Sequence, residues 1–168
     1  MRSFLTHADL NVTSIKDEIE LNRNYLDLEQ LRFKDKMDYT IEVAPDIDQQ
    51  NTMIPTVMIQ PFLENAIRHG IFHKEEGIGK ILLSIHQDEE SIHIKIRDNG
   101  VGLQASKKIN AASRINHESK GLKLLERKRE LLHVLEDLKV EMTIHEIIKE
   151  DKIEGTEVIL VVHKEMAA

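Results

Sequence analysis

The chain has 168 residues, no cysteine, no tryptophan and a formal net charge of −7. That length suits one domain with a short helical appendage. The lack of cysteine excludes disulfides and thiolate metal sites, the acidic balance argues against non-specific nucleic-acid binding, and no apolar run reaches the ~20 residues of a membrane span.

The first periodic stretch, SIKDEIELNRNYLDLEQLRF (14–33), predicts a long helix. Ser14 with Asp17 forms a capping-box pattern. Ile15, Ile19 and Leu26 share one stripe, and Leu21, Tyr25 and Leu28 an adjoining one. So wide an apolar face either docks on a domain or pairs with a second copy of the chain, and periodicity alone leaves both open. MDYTIEV (37–43) reads as a strand closed by Ala44-Pro45. IPTVMIQPFLENAIRHG (54–70) reads as a helix, with Pro55 in its first turn, a bend or restart at Pro61 and Gly70 as its stop. KILLSIHQ (80–87) and SIHIKIR (91–97) read as strands around a polar turn. Ile92, Ile94 and Ile96 alternate with polar residues, so one face is buried.

DNGVGL (98–103) breaks the strand pattern, and residues 104–119 form a polar loop. Lys107, Lys108, Arg114, Lys120, Lys123, Arg127, Lys128 and Arg129 fall between Gln104 and Arg129, opposed by Glu118 and Glu126. In an acidic chain this basic segment points to a local anionic ligand or to a solvated helix face with intrahelical pairs. GLKLLERKRELLHVL (121–135) predicts a helix. VEMTIHEII (140–148) and TEVILVVHK (156–164) predict the last strands, with EDKIEG between them. Strands in pairs, with helices available for one face, predict an α/β two-layer sandwich with a mixed, mostly antiparallel sheet.

Some residues carry chemistry beyond the fold. Asn65 offers a carbonyl oxygen suited to Mg²⁺, which takes its other ligands from phosphate and water. Asp98, at a strand end beside Gly100 and Gly102, suits an exocyclic amino group on a flat ring, although Asn-Gly is equally a turn signal. Gly121 opens a helix whose free amides suit an anion, and Lys120 and Lys123 flank it. His69 and His73 stand four apart, but no third metal ligand accompanies them and no HExxH motif occurs.

Taken in order, ENAIRHG, DNGVGL, KGLKLLERKRELL and GTEVIL resemble the ATP-binding domain of sensor histidine kinases. This is the Bergerat or GHKL fold, shared with gyrase, MutL and chaperone ATPases. The style, with PFLENAIRHG as the N-box, is similar to the autolysin-sensor (LytS-like) kinases over roughly residues 14–164. The resemblance implies a five-stranded mixed sheet with three helices on one face, preceded by a helical segment. It implies a division into residues 1–34, the end of the dimerisation and phosphotransfer region, and 35–168, the ATP-binding catalytic domain. It also implies roles: Asn65 on Mg²⁺, His69 on the phosphate side, Glu64 near water or the acceptor, and Asp98 on the adenine amino group. Gly100 and Gly102 would shape the pocket wall, Gly121 and Leu122 would meet phosphate with Lys120 beside them, and Thr156 would lie near adenine.

The resemblance implies ATP and Mg²⁺ as ligands. As partners it implies a phosphoacceptor histidine region, the receiver domain of a response regulator and a homodimer through the N-terminal helix, with no nucleic acid. Ser119-Lys120-Gly121-Leu122 keeps only the second glycine of the usual Gly-x-Gly-Leu, and Leu124 replaces a common Asn. No acceptor motif like PHFLFN occurs, so the chain reads as the cytoplasmic catalytic portion of a bacterial inner-membrane sensor. The alternatives are a non-enzymatic dimerisation module with a degenerate pocket and another ATPase of the fold, such as an anti-sigma-factor serine kinase.

Overall fold

The computed structural model describes residues 12–105, 108 and 139–163. Lys120, Gly121, Leu122 and the helix predicted at 121–135 lie outside the described residues.

Strand β1 (Val12–Ser14) leads directly into helix α1 (Ile15–Phe33). Ser14 closes the helix start as its pattern predicts: its hydroxyl accepts from the Asp17 amide at 3.0 Å and donates to the Asp17 carboxylate at 2.8 Å. Strand β2 (Met37–Val43) follows, then a short strand β3 (Met53–Pro55). Helix α2 (Gln60–Asn65) continues without a break through a wider π-type turn (Ala66–Gly70) into a 3₁₀ turn (Ile71–His73). Strands β4 (Gly79–Gln87), β5 (Ser91–Asp98), β6 (Val140–Lys149) and β7 (Lys152–His163) complete the described chain.

The main sheet runs β2-β4-β5-β7-β6. Only β2 and β4 pair in parallel; β4–β5, β5–β7 and β6–β7 are antiparallel. This is the mixed, mostly antiparallel five-stranded sheet expected. Period-two alternation places Ile81, Leu83, Ile85, Ile92, Ile94, Ile96, Val158, Leu160 and Val162 on one face, all buried. Phe62, Leu63 and Ile67 of the α2 segment and Ile15, Ile19 and Leu26 of α1 join the same core. Burial of each such side chain contributes about 1.5–3 kcal/mol.

The stripe Ile15–Ile19–Leu26 is thus a docking face. Leu21, Leu28 and Leu31 of the same helix are exposed, by 43%, 64% and 75%.

Two boundaries differ from the sequence reading. Pro55 does not open a helix: residues 53–55 pair antiparallel with 12–14, and the helix starts at Gln60 with Pro61 in its first turn. There the missing proline amide removes no bond. EDKIEG is not an open connection either. β6 and β7 turn tightly through Glu150 and Asp151, at φ 48° and 59°, and the ladder shifts register between Ile147 and Ile148.

Candidate functional site

The site forms where the end of the central strand β5 meets the turn that follows α2. Asp98 is the last residue of β5 and stands opposite Thr156 of β7. It is 7% exposed. Its carboxylate accepts from the Gly100 amide at 2.8 Å, and the nearby Thr156 amide also favours its charged form. Burial pushes its pKa up to about 6, against the pull of those two amides and of the Lys74 ammonium. Two amide donors do not recover the hydration of a buried carboxylate.

Glycines set the approach of the surrounding backbone. A Cβ at Gly100 would lie 2.3 Å from the Cα of Gly70, and one at Gly70 would lie 2.8 Å from Asp98 Oδ1. The helix segment and the loop after β5 therefore touch through bare backbone. Gly155, at φ 142°, belongs to β7, and a Cβ there would lie 1.8 Å from the carbonyl oxygen of Asp98. Gly102, at φ 82°, opens toward Glu146 and Ile153, and Glu146 Oε1 accepts from the Gln104 amide at 2.9 Å. Asn99 is structural: its side chain accepts from the Lys80 amide at 2.6 Å and donates to the Ile78 carbonyl at 3.0 Å, tying the loop to the start of β4.

Gly70 is not the helix stop expected. It keeps a right-handed conformation, and the chain continues into the 3₁₀ turn. Its missing side chain serves the contact with Asp98 and Gly100 instead.

Glu64, Asn65 and His69 lie on the segment that Gly70 joins to this loop. Asn65 and His69 are half-buried, and burial, with Arg68 and His73 nearby, lowers the His69 pKa. Glu64 accepts from Gln60 Nε2 at 3.0 Å and lies close enough to Tyr25 of α1 to help raise the phenol pKa. Asn65 and His69 thus lie on the stretch that ends at the Gly70 contact, whereas Glu64 is hydrogen-bonded within its own helix. Lys74 donates to the Asn99 carbonyl at 3.0 Å, adding a cation that the sequence reading missed. Glu146 and Lys74 carried no local signal, because each acts on a residue distant in the chain.

Solved structures with this arrangement include histidine kinase catalytic domains. The mycobacterial sensor histidine kinase MprB superposes with a TM-score of 0.59 at 15% identity, covering 90% of this chain and 95% of that one. The catalytic domain of ThkA superposes at 0.54 and 13% identity, covering 91% and 94%. In sequence, the chain is 35% identical to the sensor protein LytS of Staphylococcus haemolyticus over 106 residues, 63% of this chain and 18% of that one. It is 35% identical to LytS of Bacillus subtilis over 102 residues, 61% and 17%. By sequence and fold, the chain is a relative of the LytS-type sensor histidine kinases. It is also 34% identical to the B. subtilis protein YwpD over 112 residues, 67% of this chain and 39% of that one. The chain thus spans less than a fifth of the LytS kinases and about two fifths of YwpD. No family model matches it.

Proposed function

We propose that this chain is the ATP-binding catalytic domain of a two-component sensor histidine kinase, transferring the γ-phosphoryl group of ATP to a histidine supplied by another region or chain. The observation that carries this reading is Asp98: a buried carboxylate at the end of the central strand, held by the Gly100 amide and paired across the sheet with Thr156. Such an acceptor fits the exocyclic amino group of adenine, and the close-packed bare backbone at Gly100 and Gly102 would form the pocket wall beside it. Thr156 would stand at the same ring edge.

The donor set also fits Mg²⁺. Among the described residues no group of three His, Asp or Glu side chains forms a metal cage, and a single amide oxygen is the kind of protein ligand Mg²⁺ takes when phosphates and water supply the rest. Asn65 is that ligand in this proposal. Bound Mg²⁺ would neutralise charge on the phosphates. The protein's share of the catalysis is positioning and charge: Asn65 fixes the phosphate end relative to Asp98, and neutral His69 lines the phosphate side. Lys120 and the amides of Gly121 and Leu122 would complete the phosphate grip. Glu64 would hold water or the incoming imidazole. The acceptor nitrogen attacks phosphorus, the bond to the bridging oxygen breaks, and ADP leaves.

The segment to residue 34 is proposed as the end of the dimerisation and phosphotransfer region and 35–168 as the catalytic domain, with a homodimer through the exposed Leu21, Leu28 and Leu31. The phosphoryl group would pass on to a response-regulator receiver domain. No helix among the described residues is long and apolar enough to cross a membrane, and the proposed setting is the cytoplasmic part of a membrane-anchored sensor. The single glycine of Ser119-Lys120-Gly121-Leu122 favours a second reading, a dimerisation module with a degenerate pocket.

The test is transfer of labelled γ-phosphate from ATP, with Mg²⁺, to a separately supplied LytS-type phosphotransfer domain. Label on its histidine that is lost with Asp98→Asn and Asn65→Ala supports the kinase. No transfer, from a folded chain that also fails to bind nucleotide, supports the dimerisation module.

A further inference from the structure

Helix α2 begins without a cap of its own. Its N-cap position is Ile59, which has no side-chain acceptor, and Pro61 follows. The free amides are instead met from α1. Glu18, 1% exposed, accepts from the Val57 amide through Oε2 at 2.9 Å and from the Ile59 amide through Oε1 at 3.1 Å. Asn22, one turn further on, donates to the Glu18 backbone carbonyl at 2.7 Å and weakly to its carboxylate at 3.4 Å. Val57 sits at φ 54°, a left-handed region that is strained for a β-branched residue and persists only when neighbours hold it.

The α2 segment, whose Phe62, Leu63 and Ile67 pack in the core, is therefore also held at both ends. At its far end, Gly70 packs backbone to backbone against Gly100; at its near end, Glu18 grips the strained entry. Between them the two helical segments lie side by side in the same direction. Glu18 meets residues 57–59, Tyr25 senses Glu64 and Arg68, and Phe33 meets Phe72 edge to face at 6.3 Å. Asn65 lies between the pins.

We infer that Glu18 is a positioning residue for the nucleotide site, acting through α2 to hold Asn65 at the place where its oxygen meets the metal. The inference rests on the nucleotide reading above. Released at its near end, the segment shifts its register on the core it packs against, while the Gly70 contact holds its far end. Asn65 moves with it, while Asp98, the last residue of the central strand β5, does not. Loss of the grip therefore removes the Mg²⁺-dependent part of nucleotide binding and spares the part made at Asp98. Misplacement of a ligating group by ~1 Å is enough for a large loss.

The experiment is titration calorimetry of the full 168-residue chain with AMP-PNP, with and without Mg²⁺. It compares wild type, Glu18→Gln and the double variant Glu18→Gln/Val57→Gly, each checked for folding by circular dichroism. The substituted side-chain amide keeps a single acceptor oxygen for the two backbone donors. The expected result is that Glu18→Gln loses about fivefold or more of the affinity gained from Mg²⁺ while its metal-free affinity stays within about twofold of wild type. Glycine in place of Val57 removes the conformational cost and restores the gain. Should Glu18→Gln not fold, Asn22→Ala carries the same comparison, because it frees the carboxylate to reorient. An unchanged Mg²⁺ gain in a folded variant overturns the inference and leaves the nucleotide reading standing. So does equal loss with and without metal that Val57→Gly does not repair. No binding of AMP-PNP by wild type overturns the nucleotide reading, and this inference with it.

Discussion

Gly70 and Asp98 lie so close that a Cβ on the glycine would stand 2.8 Å from Asp98 Oδ1, the oxygen that accepts from the Gly100 amide. One methyl group at residue 70 therefore presses directly on the carboxylate at the end of β5. Gly70→Ala should cost about 1–3 kcal/mol by overpacking and weaken nucleotide binding about tenfold or more by turning Asp98 aside. Denaturant unfolding gives the first and titration calorimetry the second. Gly100→Ala should be worse, since its Cβ would lie 2.3 Å from backbone that has no side chain to move. Equal behaviour of the two variants would contradict this geometry.

The raised pKa of Asp98 fixes the sign of a pH effect. An acid whose folded pKa lies at about 6, above the unfolded value near 3.9, favours the folded state most when protonated. Its contribution to stability falls as pH rises from the unfolded value through the folded one, by about 3 kcal/mol in all at 1.36 kcal/mol per unit. Asp98→Asn removes this dependence, and its unfolding free energy should decline less than wild type between pH 4 and about 7. Nucleotide binding runs the opposite way. The amino group needs the carboxylate, so affinity should fall as pH drops through about 6, and binding at that pH should release protons, seen as a buffer-dependent enthalpy. Lys74 is the cation facing Asp98, and Lys74→Ala should move the midpoint upward.

The hairpin between β6 and β7 is strained at both turn residues, Glu150 and Asp151, with φ 48° and 59°. Asn-Gly suits a two-residue turn of this kind. Replacing Glu150-Asp151 by Asn-Gly should stabilise the chain by about 1 kcal/mol, read as a shifted urea midpoint with an unchanged slope, and should leave nucleotide affinity alone.

Glu146 holds the root of the basic segment through the Gln104 amide. Glu146→Ala should speed hydrogen exchange at Gln104 while costing about 1 kcal/mol or less of global stability, since the bond is solvent-exposed. Exchange at Gln104 unchanged from wild type would mean that this bond does not hold the segment.

How much of this could be read from the sequence depended on how local each cause was. The alternation of Ile92, Ile94 and Ile96 and the Ser14–Asp17 cap act within a few residues, and both appear where the pattern places them. The sheet type followed from the pairing of strands. Pro55 misled because the partner of residues 53–55 is the segment 12–14, and a proline near a helical pattern looks locally like a first turn. The start of α2 was hidden for the same reason: its cap is Glu18, about forty residues earlier. Glu18 and Asn22 did leave a trace, since both fall on the Ile15–Ile19–Leu26 stripe, where a wholly apolar row would be ordinary. Gly70 read as a stop because glycine after a helical run commonly is one; its contact with Asp98 joins elements that only the tertiary fold brings together. In the site, the structure sets the Gly100 amide on the Asp98 carboxylate and pairs Asp98 with Thr156 across the sheet. Gly155 was passed over as a strand junction although its backbone conformation admits no other residue easily.

The central claim is that Asp98 anchors a nucleotide whose phosphates reach Asn65. The most direct test is calorimetric titration of the wild-type chain and Asp98→Asn with AMP-PNP at about pH 8, above the raised pKa of Asp98, in the presence and absence of Mg²⁺. The account predicts binding by wild type that tightens with Mg²⁺, and loss of about a hundredfold or more in Asp98→Asn, because an amide presents a donor where an acceptor is required, while the variant unfolds no more easily than wild type. Wild-type binding that Asp98→Asn retains, or no binding by a chain shown to be folded, would contradict it.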